Sequence, residues 1–168
     1  GEVNDALRLI MIESGKIIGG VKPKSFEHFK EEEVQVVIYT DGYFPDARKG
    51  EAEEPRVGGV IFAKDRERPV AFSTEIPKEV MDLWISRRTQ IVRIEAIALP
   101  TAAETFRQLI SGKNVVWLVD SDPVLGAAVK GYSAKEDICS CIASFWEIIR
   151  EETARVYLDR IPTDGNLS

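Results

Sequence analysis

The run Val115-Val116-Trp117-Leu118-Val119 constrains this chain more than any other stretch of its sequence. Five apolar residues stand together without polar alternation, bounded by Ser111-Gly112 before them and Asp120-Ser121-Asp122-Pro123 after. A half-exposed strand would alternate polar and apolar residues, and an amphipathic helix would show a polar stripe. An unbroken run of this length between turn signals reads as a central strand buried on both faces, the mark of an α/β sheet.

The rest of the pattern fits a mixed sheet. Residues 34–44 form a β-rich run, closed by a loop containing Pro45, Asp46, Gly50 and Pro55. Residues 57–63 and 70–76 read as two further strands with a charged turn at 65–68, so an antiparallel meander is expected. Gly58-Gly59 inside the second strand predicts a bulge or a close backbone approach. Pro77 opens a short helix with Val80, Leu83 and Trp84 as its apolar face. A longer helix is expected from about Arg93 to Ile110, kinked or restarted at Pro100. After the central strand, Asp122-Pro123 supplies a cap and a proline at the first helical position. Ile138, Ile142, Phe145 and Ile149 mark a helix over 134–152 by their spacing, and 155–158 is the last of five strands. Residues 1–33 stand apart: a short helix over 4–14, then a linker with Gly19-Gly20, Pro23 and a glutamate run. They read as an attached segment or the tail of a preceding domain, with the main domain covering 34–168. A first residue of Gly, not Met, suggests a fragment excised from something longer.

At 168 residues, 44% hydrophobic and 30% charged, the chain has the composition of a soluble globular domain. Its apolar runs are too short to span a bilayer and its acidic start resembles no signal peptide, so no membrane partner is expected. Cys139 and Cys141 lie two apart in a helix, pointing about 200° from each other. They neither pair nor make a zinc half-site, and fit small core residues of an intracellular, reducing compartment. His28, the lone histidine, sits in the linker without Cys partners and is incidental. A net charge of −6 argues against generic nucleic-acid binding. A local basic surface could still form from Lys64, Arg66, Arg68, Arg87, Arg88 and Arg93.

Three acids end or adjoin apolar runs: Asp41 after Val36–Thr40, Glu95 after Ile91–Ile94, and Asp120 after Val115–Val119. A carboxylate beside an apolar run is costly to desolvate without compensation. Three brought together would repel one another, and a divalent cation is the usual remedy. Each has an ordinary explanation too. A strand-end Asp is commonly a turn former, and a helix Glu is commonly solvated. Asp41 resists that reading, because Asp is depleted in strand interiors and Tyr43-Phe44 continue the run. Asp122 is the better cap and is left out of the metal site. Phe145 and Trp146 have core spacing, Trp84 beside Arg87-Arg88 is more readily a core residue than a nucleic-acid grip, and Ser121 and Ser133 lack a nearby base.

The order of these residues carries a resemblance. Tyr39-Thr40-Asp41-Gly42 followed by Gly58-Gly59-Val60-Ile61-Phe62 resembles the first hairpin of ribonuclease H-like domains. Glu95 near a helix start and Leu118-Val119-Asp120-Ser121 resemble the family's second and third acidic positions. With Lys130-Gly131-Tyr132-Ser133 and the segment from Arg160 to Ser168, the chain is most similar to the ribonuclease H-like domains of retroelement reverse transcriptases. The resemblance spans about 36–168. It implies a mixed five-stranded sheet flanked by helices, with the first three strands antiparallel. It also implies a Mg²⁺-dependent endonuclease, with Mn²⁺ able to substitute, that cuts the RNA strand of RNA–DNA hybrids as a module linked to a polymerase domain. Asp41 would bridge two metal ions, while Glu95 and Asp120 would each hold one. In the family a fourth carboxylate follows an Asn-bearing loop. Here either Asp164 takes that place or the ligand lies beyond Ser168. Two other readings stay open: a non-catalytic scaffold or binding domain of the same fold, and a Toprim-like domain using Glu95, Asp120 and Asp122. The second leaves Asp41 without a role and lacks the expected Gly at Ala96.

Overall fold

The computed structural model of the protein describes residues 33–45, 54–83 and 90–161. The expected N-terminal helix and linker, His28, Trp84, Arg87, Arg88 and Asp164 lie outside the described residues. Strands β1 (Val36–Tyr43), β2 (Arg56–Ala63) and β3 (Val70–Glu75) form the expected meander. A short turn of helix, α1 (Lys78–Met81), precedes α2 (Ile91–Thr105) and α3 (Arg107–Ile110). Then come β4 (Asn114–Val119), α4 (Asp122–Lys130), α5 (Glu136–Glu151) and β5 (Arg155–Arg160).

The sheet runs β3-β2-β1-β4-β5. β1 pairs antiparallel with β2 and parallel with β4, and β4 pairs parallel with β5. Every residue of β4 is buried, as its unbroken apolar run requires. Alternate residues feed two clusters. Val36, Ile38, Ile61, Val115, Trp117 and Val119 pack against the apolar stripes of α2, α4 and α5. Val37, Tyr39, Val60, Val116 and Leu118 form a second cluster with Val34 and Ile161. Trp117 and Phe145 meet edge to face at 4.9 Å, and the Trp146 indole donates to the Ala128 carbonyl at 2.9 Å. The aromatics of α5 are therefore core and cap, as expected. Cys141 is buried, Cys139 is half-buried, and both thiols are free.

Two local expectations need correction, and a third is met in one of its two alternatives. The β1–β2 register is continuous, so Gly58-Gly59 makes no bulge. The other alternative, a close backbone approach, is present: a Cβ on Gly59 would lie 3.2 Å from the Tyr39 carbonyl, and 2.7 Å from the Phe72 ring, so the glycine also seats an aromatic ring. Helix α2 passes uninterrupted through Pro100 and breaks six residues later, at Phe106. Ala96, Ala98, Leu99, Ala102 and Ala103 are all buried, and that packing outweighs the lost hydrogen bond of about 3 kcal/mol that an interior proline costs. The cap of α4 is Ser121, whose Oγ accepts from the Val124 N–H at 3.4 Å. Asp122 and Pro123 occupy the first helical positions instead.

Candidate active site

Parallel pairing of β1 with β4 sets Thr40 opposite Val119, so Asp41, still within β1 and paired with Gly58 of β2, lies beside Asp120, the first residue past β4. The Trp117 indole donates to Thr40 Oγ1 at 3.2 Å, a buried bond that ties the two strands one residue before Asp41. Glu95 arrives on the second turn of α2. Its approach depends on Gly42, where a Cβ would fall 2.7 Å from Ile94 Cγ2 and 2.9 Å from the Glu95 amide nitrogen. Contacts that close admit no side chain, so the absence of one at position 42 lets the helix lie against β1.

Asp41, Glu95 and Asp120 line one cavity with Thr40, Val119, Ser121 and Val124. Its volume is about 10 Å³, the scale of one water or one small ion. Burial pushes the Asp41 carboxyl above its usual range. The Gly42 N–H, bonded to Asp41 Oδ1 at 2.9 Å, opposes that shift, and the Asp120 charge adds to it. Glu95 is pushed up to about 7, first by burial and then by the charges of Asp41 and Asp120, while a hydrogen bond from Ser121 works the other way. Ser121 thus serves two partners, the start of α4 and the Glu95 carboxylate.

These groups suit a hard divalent cation. They are oxygen donors in a partly dry site, and their mutual repulsion is what a positive ion would relieve. Among the described residues, no three acidic, His or Cys side chains converge tightly enough to form a finished ligand cage. The Asp120 charge nevertheless raises the proton affinity of Asp41, and the charges of Asp41 and Asp120 raise that of Glu95, so the site is electrostatically coupled. A larger groove of about 520 Å³ lies by the ends of β2 and β3. Its Arg56 is tied to Glu75 at 2.8 Å and to Ser73 at 3.2 Å, an arrangement of surface structure.

The three acids singled out in the sequence are therefore brought together, and Asp122 is turned elsewhere, bonded to Arg160 at 2.6 Å. Arg93, expected on a basic surface, is largely buried beside Asp137 at 3.8 Å. Sequence reasoning missed Ser121, Gly42 and Thr40. The Asp-Ser-Asp-Pro stretch offered two caps, and the Gly after Asp41 was a signal for close helix approach.

Comparison with solved structures settles the architecture. An LC11 RNase H1 in complex with an RNA/DNA hybrid aligns with a TM-score of 0.58 at 20% identity, over 79% of this chain and 88% of that one. The fold is that of ribonuclease H. RNase H1 from Halobacterium salinarum NRC-1 aligns with a TM-score of 0.54 at 16% identity, covering 78% of this chain and 88% of that chain. The N-terminal RNase H domain of a Mycobacterium tuberculosis protein gives 0.55 at 19% identity, over 79% and 91%. No family model matches the sequence, and a search of curated proteins returned no match. A ribonuclease H fold leaves no room for the Toprim-like alternative, whose Asp122 is in any case engaged with Arg160. No helix among the described residues is long and apolar enough to cross a membrane.

Proposed function

We propose that this chain is a metal-dependent nuclease that hydrolyses the RNA strand of RNA–DNA hybrids. One observation carries the reading: Asp41, Glu95 and Asp120 line a single small cavity at the carboxyl ends of β1 and β4. Asp41 within β1 and Asp120 directly after β4 are carried by strands packed into the core, which suits them to keep fixed positions around a reacting phosphate. Glu95, held by Ser121 and by the close contact at Gly42, completes the set from the helix side. With a carboxyl that titrates near 7, Glu95 can exchange a proton in the neutral range until a cation claims it. Paired Mg²⁺ ions at these carboxylates would supply activation of a water and stabilisation of the leaving oxygen. Mn²⁺ has the same preference for oxygen donors and should substitute.

The assignment to a reverse transcriptase polyprotein rests on the sequence resemblance alone, and the reading frame on either side of the gene tests it. Two free cysteines suit a reducing, intracellular setting. A second reading, a domain that keeps the fold without catalysis, draws on the carboxylates not converging as a ready cage.

The deciding experiment offers labelled RNA–DNA hybrid, duplex DNA and single strands to the protein with Mg²⁺, Mn²⁺ or EDTA. Cleavage of hybrid RNA in either metal and none in chelator is expected. Binding without cleavage in every metal would favour the scaffold, and cleavage that persists in EDTA would remove the metal site.

A further inference from the structure

Arg160 ends β5 opposite Val119, the residue before Asp120. The Ile161 N–H donates to the Val119 carbonyl at 2.9 Å, so the chain at 160–161 stays bound to the strand that delivers Asp120. The Arg160 guanidinium donates through Nη1 to Asp122 Oδ2 at 2.6 Å, with 44% of its side chain and 68% of that of Asp122 exposed. Asp122 follows Ser121, whose hydroxyl lines the carboxylate cavity. A cation is thus anchored on the rim of a site whose own side chains are acidic.

Among the described residues, its hydrogen-bonding capacity is mostly uncommitted. A guanidinium carries five N–H donors in a fixed plane, and among the described residues one of them is engaged, by Asp122. An exposed ion pair of this kind holds a side chain in one orientation at little cost to its exchange with another anion. The remaining donors match two oxygens of a phosphodiester, the geometry at which arginine exceeds lysine. An anionic polymer that must pass Asp41, Glu95 and Asp120 needs such a compensating charge beside the path. The partner of Arg160 is itself short and carboxylate-tipped, which orients the fork without covering it.

We propose that Arg160 is a substrate-positioning residue that grips a backbone phosphate of the bound nucleic acid next to the reactive one, with Asp122 orienting its guanidinium. The proposal rests on the nuclease reading above. In that setting, Asp122 neutralised to Asn still accepts the Arg160 bond but no longer repels the phosphate.

The test uses protein carrying Asp41→Asn, so that labelled RNA–DNA hybrid stays intact, and measures affinity in Mg²⁺ across a salt series. Adding Arg160→Gln should weaken binding roughly eightfold at 0.1 M salt and make the slope of log affinity against log salt shallower by about one, the loss of one phosphate contact. Arg160→Lys should keep the slope and lose part of the affinity, since the charge remains and the fork does not. Asp122→Asn should bind as well as or better than the parent. An unchanged slope in Arg160→Gln overturns the proposal even if affinity falls, because that outcome reports altered structure and not a lost phosphate. Cleavage of hybrid by the wild-type chain in the same series shows that the nuclease reading survives such a result. A protein that neither binds nor cleaves hybrid would end both.

Discussion

Helix α2 carries two half-buried charges only two residues apart, and they have opposite fates. Arg93 meets Asp137 of α5 at 3.8 Å, with 13% and 10% of the two side chains exposed. Glu95, about 200° away around the helix, meets Asp41 and Asp120, charges of its own sign. The first pair is compensated within the chain and joins α2 to α5 as structure. The second group is left for something outside the chain to complete. A charge with its counter-charge in the fold is architecture, whereas a partly buried cluster of one sign points to a ligand.

The sharpest way to break this comparison is Asp41→Asn. It should reduce cleavage of an RNA–DNA hybrid by roughly a thousandfold or more, the rate equivalent of several kcal/mol. Thermal stability should hold or rise, since one of the repelling charges is gone. Full activity in a gel assay would remove Asp41 from the site, and with it the nuclease reading. The mirror experiment is Arg93→Met. Leaving Asp137 buried without its cation should cost about 3–5 kcal/mol, read as a fall in melting temperature. Adding Asp137→Asn should recover most of that loss. A small effect in the single variant would mean that the pair is not what joins the helices.

Gly42→Ala acts on the boundary between β1 and α2. The new methyl lands 2.7 Å from Ile94 and 2.9 Å from the Glu95 amide. The helix must move, at about 1–3 kcal/mol for overpacking. Misplacing Glu95 by even ~1 Å should lower turnover by roughly a hundredfold. Turnover that follows stability alone, without this extra drop, would show that the helix contact does not position Glu95.

The smallest effect is a pH dependence. Glu95 titrates at about 7 in the fold against an ordinary 4.5, so the folded chain holds that proton more tightly than the unfolded one. Its contribution to stability is full below about 4.5 and is lost as pH rises through 7. Asp41 shifts in the same direction. The metal-free melting temperature should therefore fall by roughly 2–5 °C between pH 5 and 8 from this source. The fall should flatten in Glu95→Gln, and Mg²⁺ at pH 8 should restore what was lost. A flat profile in the wild-type protein would mean that Glu95 is better solvated than the cavity suggests.

The sequence revealed those parts of this arrangement that depend on local pattern. The β4 run could hardly be anything but a strand covered on both faces, and Asp41 inside a β-rich run had no comfortable structural role. Asp120, commonly a turn former by itself, was legible only through its order with Asp41 and Glu95. The α2–α5 pair was not, because Arg93 and Asp137 lie far apart in the chain and each has neighbours that suggest an exposed face. Ser121 and Asp122 are both good caps by propensity. Only the position of Glu95, a tertiary fact, explains why the serine takes that role and leaves the aspartate to Arg160. At Pro100 the local penalty was legible but the alanine-rich packing that overrides it was not.

The parallel pairing of β1 with β4 also sets an order of events during synthesis. The meander of β1, β2 and β3 consists of contacts between near neighbours in the chain and can form while the rest is still emerging. Asp41 is present in that early hairpin but has no acidic companion there. Asp120 joins it only when β4 docks against β1, a long loop closure that brings residues 36–40 to residues 115–119. The repulsion between Asp41 and Asp120 is thus postponed until β4 docks, when its buried strand run supplies the driving force to overcome it. A ribosome stalled before β4 would therefore display a hairpin bearing one of the three acids and none of the chemistry.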